Sequence, residues 1–276
     1  MRQIVCAAAV AVTVGLCTAA AQPVQQPVPG APRMSTPSPE TLKDLAPTGK
    51  IRFAINLGNI VLAQTDPATG APKGVTVDLA RELGRRLDRP VELVPFDAAG
   101  KSFEALKAGQ VDVVFLAIEP VRANEIAFTA PYVLIEGVYM VPKDSPLKTV
   151  ADVDRPGIRV GVNKASAYDL FLTRTLKHAE LVRGENGVEL FAQQKLDAAG
   201  GVKQPLVAYA RTHPEVRIMD GRFMEIQQAM GAAKGREAGA RYLRAFVEDM
   251  KASGFVADGL KRSQQFDAAV APPAGT

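Results

Sequence analysis

Few side chains in this 276-residue chain are placed to do chemistry, and Arg122 heads them. It follows VDVVFLAI, residues 111–118, an almost wholly apolar run of the kind that forms a strand buried on both faces of a parallel sheet. Arg122 then falls in the polar turn beyond that strand's C-terminal end, the rim where open α/β sheets bind ligands. An arginine there presents a planar, permanently charged fork that pairs bidentately with a carboxylate. Taken alone, it also reads as an ordinary surface or capping arginine. Ser166 is the second candidate. It opens the helix-like run SAYDLFLTRTL, where a hydroxyl caps backbone N–H groups.

Other chemistries lack their residues. The two histidines are His178, at the start of a strand-like run, and His213, in the turn THPE, and neither is placed as a base. No G-x-S-x-G elbow occurs. The first strand runs into LGNIVLAQ, which carries neither a dinucleotide fingerprint nor a P-loop, so no cofactor is implied. Both cysteines, Cys6 and Cys17, lie in the first segment, which argues against Cys-ligated zinc and thiol chemistry. With 33 Lys+Arg interspersed among 29 Asp+Glu, the +4 balance describes a solvated surface, not a nucleic-acid footprint.

Around these residues, strand and helix patterns alternate. Lys50 to Asn56, Pro90 to Phe96 and Val111 to Ile118 read as strands. Between them, Asp78 to Leu87 is a helix with Leu79, Leu83 and Leu87 on one face, and KSFEALKAG is another. Val133 to Val141 predicts a long strand. A second set follows: strands IRVGV, ELVRG, LDAAGGV and VRIMD around helices SAYDLFLTRTL, VELFAQQK and PLVAYART. MEIQQAMGAA predicts a last strand. Arg236 to Ser253 predicts an amphipathic helix burying Ala240, Leu243, Phe246, Val247 and Met250. This alternation means α/β architecture in two sets, with mostly parallel sheets.

The ends read differently. MRQ, an apolar stretch from Ile4 to Leu16 and small residues at Ala19 and Ala21 predict a signal peptide over 1–21. The stretch is short for a membrane anchor, and Leu16 before Cys17 argues against a lipoprotein signal. Residues 22–39 hold six prolines and predict a disordered linker, and 269–276 a disordered tail.

The block KAGQVDVVFLAIEPVRANEIAFTAPY resembles the extracellular solute-binding proteins of family 3. These are the type II periplasmic binding proteins of amino-acid-type ABC importers. KIRFAI, GVTVDLARELGRRL, PGIRVGVNKASAYD, LDAAGGV and the terminal KASGF extend the likeness over nearly the whole folded region. The resemblance implies two lobes, 40–137 with 230–268 and 138–229, joined by two hinge strands crossing near Glu136 to Val141 and Gln227 to Gly231. It places Arg122 as the clamp for a ligand's carboxylate. Ser166, with the backbone N–H groups of its helix, is to meet the same group. Leu57, Asn59, Phe115, Ala117, Glu119, Ala165 and Val202 are expected to complete the interlobe cleft.

Against the family pattern, the positions expected to hold a ligand ammonium are apolar: Phe115 and Ala117 replace hydroxyls, and Val202 replaces an acid. Leu57, Ile60 and Leu62 stand where an aromatic is usual. A buried ammonium without acceptors costs several kcal/mol, which favours an organic acid over an amino acid. Glu119 either replaces the lost ammonium partner or pairs with Arg122. Lys164, Lys203 and Gln204 lie at the cleft's second edge as further anion contacts or solvated side chains. The implied protein is not an enzyme. It is a periplasmic monomer that carries a small carboxylate-containing ligand to an ABC permease at the inner membrane, with no nucleic-acid partner. A cyclohexadienyl (prephenate-type) dehydratase on the same fold is the alternative, with Glu119 as its acid.

Overall fold

A computed structural model describes residues 36–275. The predicted signal peptide and residues 22–35 of the predicted linker lie outside the described residues.

The strands are β1 (Ile51–Asn56), β2 (Gln64–Thr65), β3 (Pro72–Lys73), β4 (Val91–Phe96), β5 (Val113–Ala117) and β6 (Ile126–Pro142). They continue with β7 (Arg159–Asn163), β8 (Glu180–Gly184), β9 (Ala198–Val202), β10 (Val216–Ile218), β11 (Met224–Ala233) and β12 (Ala269–Val270). The helices are α1 (Pro39–Leu45), α2 (Val75–Leu87), α3 (Ala99–Lys107), α4 (Pro120–Ala123) and α5 (Ala167–Thr175). After them come α6 (Gly187–Gln194), α7 (Lys203–Thr212), α8 (Glu237–Ala252) and α9 (Phe255–Arg262).

The main sheet runs β4-β1-β5-β11-β6-β9-β7-β8. β1 pairs in parallel with β4 and β5, and β7 does the same with β8 and β9. Two parallel trios are therefore joined by the antiparallel pair β6 and β11. Pleat alternation fills both faces of each trio. In the first, Phe53, Val113 and Phe115 pack with Leu79, Leu83 and Leu87 of α2 and with Leu243, Phe246 and Val247 of α8. On the opposite face Ala54, Val114 and Leu116 meet Ala105 and Leu106 of α3. In the second, Val160, Val162 and Ala198 pack on Leu172 of α5, while Ala199 and Leu196 meet Phe191 and Leu206. The buried stripes predicted for α2 and α8 are present in full.

Where the sequence predicts a strand from Val133, β6 starts at Ile126. Pro131 obscures this, since proline seldom sits inside a sheet. It is tolerated because the β11 register skips between Gln228, opposite Val133, and Ala229, opposite Pro131. α4, expected as a turn, is one helical turn with Pro120 at its start. α9 escapes the pattern because Gly259 interrupts it, a position packed against Val75. The tail corrects another expectation: residues 269–270 form β12 on β6, and Ala271 is buried, because Ala271 N–H donates to Tyr132 O.

Gly187 begins α6 against the backbone of β7, and an added Cβ would lie 2.7 Å from Val162 N, Cα and C. Backbone cannot rotate away as a side chain can. Gly187→Ala is expected to cost about 1–3 kcal/mol, read as a lower midpoint in urea unfolding with an unchanged slope. An unchanged midpoint would show that α6 can slide off β7.

Candidate functional site

The C-terminal ends of both trios face each other across a cavity of about 180 Å³, room for a small solute rather than a peptide. Asn56 reaches it from the end of β1 and Asn59 from the loop beyond, Asp97 from beyond β4, and Ala117 and Arg122 from β5 and α4. From the other side come Asn163 ending β7, Lys164, Ser166 and Tyr168 after it, Asn186 after β8 and Val202 ending β9. Ile226 and Gln228 of the joining strand β11 also line it. Strand ends supply loops whose backbone needs no further sheet partner, so polar side chains collect there.

Arg122 is 1% exposed. Its Nη1 donates to Ala117 O at 3.1 Å and its Nη2 to Ala165 O at 2.9 Å, so one guanidinium touches both halves. Neither partner is an anion. Desolvation pushes its pKa down to about 10, with Glu119 pulling the other way, and the group stays cationic at neutral pH. Since the folded-state pKa lies below the unfolded value, burying this cation costs stability at every pH below about 10 and relents only above it. A carboxylate in the cavity would remove that cost.

The far wall is held by Asp169. Its Oδ2 accepts from Ala165 N at 2.8 Å and its Oδ1 from Arg183 Nε at 2.8 Å. Ala165 has φ 58°, a left-handed conformation costing about 1–2 kcal/mol for an L-residue, and the Asp169 contact offsets this. Ser166 caps α5 by accepting from Asp169 N at 3.0 Å and also lines the cavity.

Of the residues proposed from sequence, Arg122, Ser166, Ala117, Asn59 and Val202 line this cavity, as does Lys164. Ala165 stands just behind, contributing the carbonyl that takes Arg122. Phe115 is not brought to it: the ring packs in the core between Phe53 and Tyr132, both at 6.1 Å between centroids. Leu57 packs against the same core. Lys203 is committed to Glu136 at 2.6 Å, and Gln204 is also outside the lining. Glu119 requires correction. Its buried carboxylate takes both terminal nitrogens of Arg174, at the end of α5 in the other half, and lies outside the lining. It is neither ion-paired with Arg122 nor available to an ammonium.

Sequence reasoning missed Asn56, Asp97, Asn163, Tyr168, Asn186 and Gln228. Asn56 and Asn163 close the runs IRFAIN and RVGVN, so the polar residue ending each strand was the available signal. Asn56 Oδ1 accepts from Gly58 N at 3.1 Å, Asn163 Oδ1 from Gly187 N at 2.9 Å, and Asn186 Oδ1 from Val188 N at 3.1 Å. These contacts fix the loops. Asn59 Oδ1, by contrast, is buried without a partner among the described residues.

Residues 61–262 match the sequence model of the bacterial extracellular solute-binding proteins, family 3. The chain belongs to this family. It is 23% identical over 202 residues to the glutamine-binding protein of Geobacillus stearothermophilus, covering 70% of this chain and 76% of that protein. Its fold is similar to the cysteine-binding protein of Campylobacter jejuni, with a TM-score of 0.70 at 20% identity over 84% of this chain and 99% of that one. An ancestral amino acid-binding protein, AncCDT-1, described as a precursor of cyclohexadienyl dehydratase, superposes with a TM-score of 0.66 at 23% identity, covering 80% and 98%. The two-lobed fold of type II periplasmic binding proteins, with β6 and β11 as the joining strands, is the fold of this chain.

Proposed function

We propose that this protein is the substrate-binding component of an ABC importer, taking a small carboxylate-bearing solute into the cleft between its lobes. The observation that carries the reading is Arg122, a desolvated cavity-lining cation whose hydrogen-bond partners among the described residues are two carbonyls. A small anion is the occupant that answers it. On this reading the lobes comprise residues 40–137 with 230–268 and residues 138–229, and the chain is exported by the segment 1–21 to meet its permease outside the cytoplasm.

Among carboxylates, amino acids come first. The relatives are named for glutamine and cysteine. The sequence argument for an organic acid rested partly on Phe115, whose ring faces the core. Apolar Ala117 and Val202 still favour amine-free acids as the second class. Glu119, the proposed acid of a dehydratase, is held by Arg174 away from the cavity, which leaves that alternative without its proton donor.

The ligand holds the cleft closed because it touches both lobes only there. The test is calorimetric titration of protein unfolded and refolded to strip carried-over ligand. The panel holds the L-amino acids, their amine-free counterparts and prephenate. Saturable binding of a carboxylate, with prephenate unchanged after incubation, is the expected result. Prephenate turnover, or no carboxylate bound, would overturn the reading.

A further inference from the structure

We propose that Gln228 sets whether the cleft takes an amine-bearing acid, by receiving the ligand's ammonium on its side-chain amide oxygen. The inference rests on the carboxylate reading of the cleft above.

Gln228 is 6% exposed and lines the cavity. Its side chain makes no hydrogen bond with any described residue. Its neighbour Gln227 is exposed on the same strand, so burial at 228 is a matter of position rather than composition. β11 bulges here, with register shifts on both sides of Ala229, and bulges re-aim side chains toward sites. With no partner among the described residues, an amide that lines the cavity is free to bond an occupant.

Its placement specifies the occupant. Gln228 stands directly opposite Ala117, the position where apolar substitution argues that an ammonium acceptor is lost. The carbonyl of that same Ala117 takes Arg122 Nη1. Ala117 is thus the common neighbour of the guanidinium and the free amide. An α-amino acid carries its carboxylate and ammonium on one carbon and needs acceptors placed side by side in this way. The carboxylates nearby are otherwise engaged: Glu119 by Arg174, and Asp97 by Lys101 at 2.7 Å. An acceptor missing from β5 is in this way supplied by the adjacent strand.

The experiment titrates refolded wild type, Gln228→Met and Gln228→Glu with paired L-amino acids and their amine-free acids. Met is close to Gln in shape and apolar, and Glu keeps the oxygen if Met fails to fold. Wild type is expected to prefer at least one amino acid over its amine-free partner by about 10- to 100-fold, the range for a hydrogen bond to a charged group. Gln228→Met should erase that ratio while leaving the amine-free acid bound as before. Gln228→Glu should keep or raise it. Unchanged discrimination in Gln228→Met, or lost discrimination in Gln228→Glu, overturns the assignment. So does loss confined to Asn59→Ala, since Asn59 Oδ1 also lacks a partner among the described residues. Wild type preferring amine-free acids sinks the proposal alone, whereas no binding of either series removes the carboxylate reading with it.

Discussion

Replacing Arg122 by methionine is expected to weaken carboxylate binding by at least about 100-fold, the loss that follows when one partner of a buried, hydrogen-bonded charge pair is removed. Folding stability of the ligand-free protein should not fall with it. The Arg122 guanidinium is 1% exposed and its two hydrogen-bond partners are neutral carbonyls, and the attraction of Glu119 does not offset desolvation, so the folded state carries a net cost for burying the charge. Replacing such a group by an apolar side chain of similar length is often neutral or stabilising. Affinity by calorimetry and midpoint by urea unfolding should therefore part company. Equal losses in both would mean that Arg122 is a structural strut. Arg122→Lys serves as a second check, because a lysine keeps the charge but loses the bidentate fork.

The second large effect concerns closure. Arg174→Ala leaves the Glu119 carboxylate, 2% exposed, without its cross-lobe partner in the closed form. Opening of the cleft lets water reach it, so the closed state loses stability relative to the open one. Stranding a fully buried charge costs about 3–5 kcal/mol, but Arg174 is 41% exposed and already half screened. An effect of about 1–2 kcal/mol is then expected, or about 5- to 30-fold in affinity, expressed mainly as faster ligand release in stopped flow. The double variant Glu119→Gln, Arg174→Gln should recover most of it, since no carboxylate is left stranded at position 119. Ligand release at the wild-type rate in Arg174→Ala would show that the pair does not hold the lobes together.

Much of this architecture is legible in the chain. Leu79, Leu83 and Leu87 announce α2, and the unbroken apolar run before Arg122 announces a central strand whose end is a binding rim. What the pattern hides is long-range. Glu119 and Arg174 are 55 residues apart, and nothing local in either sequence indicates the other. Pro131 disguises the first half of β6, because the bulge that tolerates it lies on a strand nearly a hundred residues later. Gln227 and Gln228 are the same residue in adjacent positions. Only the strand's phase at that bulge buries one and exposes the other. Phe115 shows the reverse problem: it shares a face of β5 with Ala117, but it lies two residues further from the strand's end, where its ring packs between Phe53 and Tyr132 instead of reaching the cavity.

The most direct test of the cleft as a carboxylate site is one paired calorimetric experiment on refolded protein, wild type beside Arg122→Met, titrated with the L-amino acids and amine-free acids. A saturable 1:1 isotherm in wild type that vanishes in a folded Arg122→Met variant is the predicted result. An isotherm of undiminished affinity in Arg122→Met, or none in wild type with any carboxylate, would contradict it.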